Sequence, residues 1–246
     1  MGGVARDRAI VLASLVAIVG VAWAYLLGLS RAMSGMDDMP DMAMEPVAGS
    51  FLLTTIMWSV MMVGMMLPSA TPMILLFTMV QRKQGAHPVP TAGAFAVGYI
   101  IIWGGFAVLA ASLQMALADM ALLSPSLTLV SARVGGATFL AAAIYEFSPI
   151  KNRCLTQCIN PLQFVTSHWR PGVEGALRMG VIHGAFCLGC CWVLMLLLFA
   201  AGVMNLIWVA MLAALVLLQK VLPNGRITTT VTGIAMLGVG VSLLLR

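Results

Sequence analysis

Charged side chains are scarce in this chain of 246 residues: only 9% are Asp, Glu, Lys or Arg, and 61% are hydrophobic. Globular domains in water carry about 25% charged residues, so a soluble fold could not hide this much apolar surface. A helix satisfies its own backbone hydrogen bonds and is therefore stable in a bilayer. The composition predicts an all-α, polytopic membrane protein with one transmembrane domain, residues 1–246, surrounded by lipid.

Catalytic and nucleotide-binding motifs are also absent. The sequence has no Walker-type loop, no paired acids and no Ser/His/Asp arrangement. We therefore expect neither an enzyme nor a nucleotide cofactor. The net charge of +5 would suggest nucleic acid in a soluble protein. In a membrane protein the distribution of basic residues among the loops is more informative, and we expect no nucleic-acid partner.

Long uncharged runs predict the helices that cross the membrane. Seven candidate spans are separated by charged or Pro/Gly-rich joints: residues 9–30, 50–80, 91–118, 126–147, 177–203, 205–222 and 227–245. With the N-terminus in the cytoplasm, ten of the 13 basic residues fall on the cytoplasmic side, as the positive-inside rule favours. The sequence predicts about seven spans, a cytoplasmic N-terminus and an outside C-terminus, in a bacterial inner membrane.

Methionine is abundant, with 20 residues, and several fall in a polar segment between the first two spans. This predicted extracytoplasmic loop, residues 31–49, contains four acids and two prolines, a composition that disfavours a packed helix. Thioethers bind Cu(I) or Ag(I), and unlike thiols they form no disulfides in an oxidising compartment. We predict that the loop collects a soft metal ion through Met33, Met36, Met39, Met42 and Met44.

The second span carries further methionines at helical spacing, with Met57, Met61 and Met65 each four residues apart. Such a stripe is commonly adaptable packing in a core. Pro68 and Pro72 favour another interpretation, because interrupted backbone in a membrane is tolerated chiefly where it is buried in protein or lines a cavity. In that interpretation Met61 and Met65 relay the ion inward.

The fifth span places soft ligands inside an apolar run. His183, Cys187 and Cys191 stand at positions i, i+4 and i+8, and Cys190 stands at i+7, so all four project from one face of a helix. Thiolate sulfur selects Cu(I) and other soft ions. The alternative is close packing, because small residues are favoured where membrane helices touch. We predict an intramembrane metal site formed by His183, Cys187, Cys190 and Cys191.

A second pair of thiols lies in the longest predicted cytoplasmic connection, residues 148–176. Cys154 and Cys158 are one helical turn apart, a spacing that forms neither a CxxC redox motif nor a zinc knuckle. Close to Lys151 and Arg153 they could accept a soft cation. They could equally be two unrelated cysteines in a reducing compartment. In the metal interpretation they are cytoplasmic acceptors of the ion.

Several segments together resemble a bacterial family of predicted metal-binding integral membrane proteins, sometimes labelled copper chaperones. The similar segments are residues 65–69, 145–151 with Cys154 and Cys158, 168–170, and the distinctive 183–192. The resemblance as a whole covers residues 57 to about 222, most of the chain. The resemblance implies a bound metal, with copper as the expected one.

The leading hypothesis is a membrane protein that binds Cu(I) and transfers it between the outer Met-rich loop and the intramembrane Cys/His site. A copper-receiving membrane or soluble protein would be its partner. The first alternative is a membrane thiol-disulfide oxidoreductase, because Cys190 and Cys191 could exchange with Cys154 or Cys158; it leaves the methionines unexplained. The second is a structural or assembly subunit whose cysteines only pack.

Overall fold

A computed structural model describes residues 2–36, 50–84, 87–124, 127–129, 131–222 and 225–245 of the chain. These ranges contain helices and no strand, which confirms the predicted all-α class. The helices are α1 (Gly2–Met36), α2 (Phe51–Lys83), α3 (Pro88–Asp119), α4 (Ala132–Glu146), α5 (Pro149–Ile159), α6 (Pro161–His168), α7 (Gly172–Ala201), α8 (Leu206–Val221) and α9 (Gly225–Leu244).

Five helices of the described ranges are long and apolar enough to cross a membrane, as expected for a polytopic membrane protein. They are Ala5–Ala32, Phe51–Lys83, Pro88–Asp119, Gly172–Ala201 and Ile227–Leu244. The predicted spans 126–147 and 205–222 correspond to α4 and α8, which have 15 and 16 residues. Both are shorter than the roughly 20 residues that a full crossing needs. The count of seven spans and the sidedness of the termini stay predictions.

The first two helices form an antiparallel pair. Asp7 near the start of α1 forms an ion pair with Arg82 near the end of α2. Pro68 has no amide hydrogen and leaves the carbonyl of Gly64 without its helical donor. The indole Nε1 of Trp23 in α1 donates to that oxygen at 3.3 Å. The backbone group freed by the proline is thus satisfied inside the protein, as a membrane environment demands.

Helices α3 and α7 touch through their backbones at two glycines. A Cβ added at Gly98 would lie 2.2 Å from the carbonyl oxygen of Leu177, and one added at Gly180 would lie 2.0 Å from that of Phe95. No side chain fits at such distances, and small residues are what allow membrane helices to approach this closely. The contact restricts the rotation of α7 and therefore the direction in which its cysteines project.

Gly98→Ala is expected to destabilise the fold by about 1–3 kcal/mol, because its methyl group must displace the α7 backbone. Gly105→Ala is the matched control on the same helix, since a Cβ there meets nothing within 4 Å. The thermal midpoint of the helical circular dichroism signal in detergent measures both. Equal midpoints for the two variants would contradict the close contact.

The predicted connection 148–176 is mostly helical. Ser148 caps α5 by accepting the Lys151 amide at 3.1 Å, and Pro149 starts that helix. Pro161 likewise starts α6; proline suits the first helical position because no donor is needed there. Helix α5 packs against α7 and α8, and α9 packs against α4.

A tight turn joins α7 to α8. Gly202 ends α7 with a φ of 98°, a left-handed conformation that favours glycine. The Asn205 side chain then accepts the amide of Trp208 at 3.3 Å and starts α8. Helix α8 therefore runs back along α7, toward the part of α7 that carries the cysteines.

Candidate functional site

The three cysteines of α7 are buried midway along that helix. Cys187, Cys190 and Cys191 are almost completely inaccessible to solvent. The thiols of Cys190 and Cys191 donate to the carbonyl oxygen of Cys187 at 3.0 and 2.9 Å. One unbroken helix carries all three, so the spacing on which the sequence prediction rests is present in the structure.

The two cysteines of α5 lie against the same part of α7. A Cβ added at Gly189 would be 2.8 Å from the sulfur of Cys154, and the Cys158 side chain interacts with that of Cys190. The packing of α5 on α7 thus brings the two predicted sets of thiols together, and the cytoplasmic position of Cys154 and Cys158 stays a prediction. The chain's free cysteines thus lie in one region, called here the cysteine cluster: Cys154, Cys158, Cys187, Cys190 and Cys191.

Lys220 of α8 reaches into this cluster. Its ammonium donates to the sulfur of Cys187 at 2.8 Å and to the hydroxyl of Ser69 at 3.0 Å. The residue is 8% exposed, and the ion pairs found in the described part of the chain give it no carboxylate partner. A buried ammonium without a counter-charge is strongly disfavoured. The ammonium is instead held by a sulfur atom and a hydroxyl group.

Tyr99 completes the surroundings of Cys187. Its hydroxyl lies 2.9 Å from the sulfur and donates to the carbonyl of Met66 at 3.0 Å. The Ser69 hydroxyl donates to the same carbonyl at 2.8 Å. Tyr99 of α3 and Lys220 of α8 therefore contact the Cys187 sulfur, and polar groups of α2 bind both of them.

Sequence reasoning missed Lys220 and Tyr99 as site residues. Lys220 ends an apolar run and counts among the ten basic residues that we placed on the cytoplasmic side, and Tyr99 is surrounded by apolar residues of its span. The available signal was an ionisable residue close to the hydrocarbon region, which in membrane proteins marks functional sites.

His183 lies one turn before Cys187, among aromatic rings. Its ring centroid is 5.8 Å from that of Phe95, 5.9 Å from that of Tyr99 and 5.1 Å from that of Phe164. The residue is 3% exposed, and its Nδ1 has no hydrogen-bond partner. A buried imidazole nitrogen without a partner is free to act as a ligand.

The predicted Cys and His ligands lie close together, but their side chains do not point toward one common position. Within the ranges that the structure describes, no group of three or more His, Cys, Asp or Glu side chains is positioned to hold a metal ion. The thiols of Cys190 and Cys191 point instead to the Cys187 carbonyl. Binding an ion through three of these groups therefore requires side-chain rotation within the cluster.

The methionines of α2 lie in the protein core. Met61 and Met65 are fully buried, together with Met57, Met62 and Met66 of the same helix. Their burial agrees with the packing interpretation. The relay that we predicted for Met61 and Met65 stays a prediction.

The predicted Met-rich loop begins later in the chain than expected. Helix α1 continues to Met36, so Met33 and Met36 lie in its last turn. Arg31 does not end the helix, because a charged side chain interrupts no backbone hydrogen bond, and no proline occurs before Pro40. The other predicted ligands of the loop, Met39, Met42 and Met44, lie outside the described residues.

A second buried polar network joins α4, α5 and α8 beside the cluster. Lys151 donates to the Glu146 carboxylate at 2.6 Å and to the Gln219 amide oxygen at 3.0 Å. The Gln219 amide group donates to the other carboxylate oxygen at 3.2 Å. Gln219 precedes Lys220, and Lys151 lies one turn before Cys154. The network thus holds in place α5 and α8, the two helices whose side chains reach the α7 cysteines.

Comparison with known proteins places these residues in a family. The family model described as PpoB2, copper chaperone, matches residues 55–243. The matched region includes the whole cysteine cluster, His183 and Lys220. No curated protein and no solved structure matches the chain.

Proposed function

The chain belongs to the PpoB2 family of copper chaperones, and from this premise we propose that it binds Cu(I) within the membrane and passes it to a copper-receiving protein. The observation that carries the proposal is the cysteine cluster, in which half-buried free thiols of α5 lie against buried free thiols of α7. Soft sulfur ligands favour Cu(I) over the harder ions. The ion is the cargo of this site, and we propose no catalytic role for the chain.

Cys187, Cys190 and Cys158 are the proposed core of the binding site. Cys190 interacts with both other thiols, and Cys187 already accepts a hydrogen bond from an ammonium. A nearby cation favours the thiolate, which is the form that binds metal. Three further ligands are close by. Cys191 and His183 each lie one helical turn from Cys187, and Cys154 contacts α7. We propose that they complete the coordination after side-chain rotation.

The direction of transfer follows from the order of ligand strength. We propose that the outer methionines, Met33 to Met44, collect the ion and that Met61 and Met65 pass it toward the thiols. Thioethers are neutral, and thiolates hold Cu(I) more tightly because they add a negative charge. Movement is therefore inward, across a bacterial inner membrane in which the chain has seven spans and a cytoplasmic N-terminus.

The test is elemental analysis of protein purified in detergent under anaerobic, reducing conditions, combined with X-ray absorption at the copper edge. We expect about one copper ion per chain in sulfur-rich coordination, as soft-ligand chemistry predicts. A protein that contains no copper and takes up no added Cu(I) would overturn the proposal.

A second candidate function is thiol-disulfide exchange, because Cys158 interacts directly with Cys190. In that case a partner's disulfide would be reduced as the Cys158 and Cys190 thiols are oxidised to a disulfide. Trapping a mixed disulfide between the chain and a partner would support exchange. Loss of function on deletion of residues 33–44 would instead support copper handling, because exchange does not use the methionines.

A further inference from the structure

The cysteine cluster contains a fixed positive charge. Lys220 donates to Cys187 at 2.8 Å, and the thiols of Cys190 and Cys191 donate to the carbonyl of that same residue. The other buried lysine, Lys151, differs because Glu146 lies 2.6 Å from its ammonium. Among the described groups no carboxylate neutralises Lys220, so its charge acts on whatever enters the cluster.

The ammonium is held in place from two sides. Ser69 of α2 accepts a hydrogen bond from it, and the same hydroxyl donates to the Met66 carbonyl. Cys187 of α7 is its second partner. Two anchors on different helices keep the charge beside the sulfur, and a side chain that is 8% exposed has little access to water.

We infer that Lys220 is a specificity-determining residue, which makes the cluster favour singly charged over doubly charged metal ions. The inference rests on the proposed copper function and concerns which metal ions the cluster selects. Coulomb repulsion is proportional to charge, so at one position the ammonium repels a divalent ion twice as strongly as a monovalent ion. The ammonium also favours the thiolate form of Cys187, so the test compares the ratio of the affinities for the two ions, in which changes common to both ions cancel.

Ag(I) and Cd(II) are the matched probes for this inference. Both are soft ions with the same number of electrons, and they differ by one unit of charge. The dissociation constants of both ions are measured for the wild-type chain and for Lys220→Met in detergent under anaerobic conditions. We expect the affinity for Cd(II) relative to Ag(I) to rise by at least about 10-fold in Lys220→Met.

Two further variants separate charge from structure. Lys220→Arg keeps the positive charge and is expected to keep the wild-type ratio of affinities. Lys220→Gln is measured alongside Lys220→Met, so that poor folding of one neutral variant leaves the other as the test. An unchanged ratio in the folded neutral variants would overturn the inference.

The outcomes distinguish the inference from the function on which it rests. A wild-type chain that binds neither Ag(I) nor Cu(I) would overturn the proposed function and the inference together. A wild-type chain that binds Ag(I), with the same Cd(II) to Ag(I) ratio in Lys220→Met, would overturn the selectivity alone.

Discussion

Replacing Cys187, Cys190 and Cys191 together with alanine is expected to lower the bound copper from about one ion per chain to below about 0.1, because the proposed site loses most of its soft ligands. The replacement is made in a Lys220→Met background, since removal of Cys187 alone would leave the buried ammonium without its sulfur partner. The comparison is therefore between the quadruple variant and Lys220→Met, with copper measured by elemental analysis.

Met195→Leu is the control for this experiment. Met195 is a buried thioether one turn after Cys191 on the same helix, and leucine conserves its volume closely. We expect this variant to keep the wild-type copper content. Full copper retention by the quadruple variant would show that the α7 cysteines are not the site.

Lys151→Met is expected to destabilise the protein by about 3–5 kcal/mol, because it leaves the Glu146 carboxylate buried without its cation. The Gln219 amide, a neutral group, would still donate to that carboxylate. A loss of this size corresponds to a fall of roughly 10 °C in the thermal midpoint. Helix α5 carries Cys154 and Cys158 as well as Lys151, so the same change is expected to reduce copper binding.

The thermal midpoint of unfolding can be measured through the reactivity of the cysteines. A fluorophore that reacts with thiols reports unfolding, because the α7 cysteines are buried until the structure opens. Arg153→Met is the matched control, since Arg153 is an exposed cation on the same helix. Glu146→Leu combined with Lys151→Met removes both charges and is expected to recover most of the lost stability. Equal midpoints for Lys151→Met and Arg153→Met would contradict a stabilising role for the network.

Much of the helical architecture could be predicted because apolar runs determine where helices form in a membrane protein. Each of the seven predicted spans contains a helix of the structure. The predicted span 205–222 matches α8 closely, but the predicted span 126–147 begins six residues before α4, which starts after its cap Ser131. Hydropathy also placed the end of α1 at residue 30, six residues early.

The candidate site could be predicted only within single helices. The spacing of His183, Cys187 and Cys191 determines their common face, whatever the rest of the chain does. Spacing within α5 does not determine what Cys154 and Cys158 face, because that depends on the packing of α5 against α7. Lys220 and Tyr99 approach Cys187 from helices that are distant in sequence, so no local pattern connects them.

The position of Lys220 has a consequence for biosynthesis. Helix α8 has 16 residues and carries Lys220 in its last turn, so it is a weak signal for independent insertion into a bilayer, where a lysine is disfavoured. Its two partners, Ser69 and Cys187, belong to helices that leave the ribosome earlier. We expect α8 to insert by docking on these helices, so that translation of the last helical hairpin closes the thiol site.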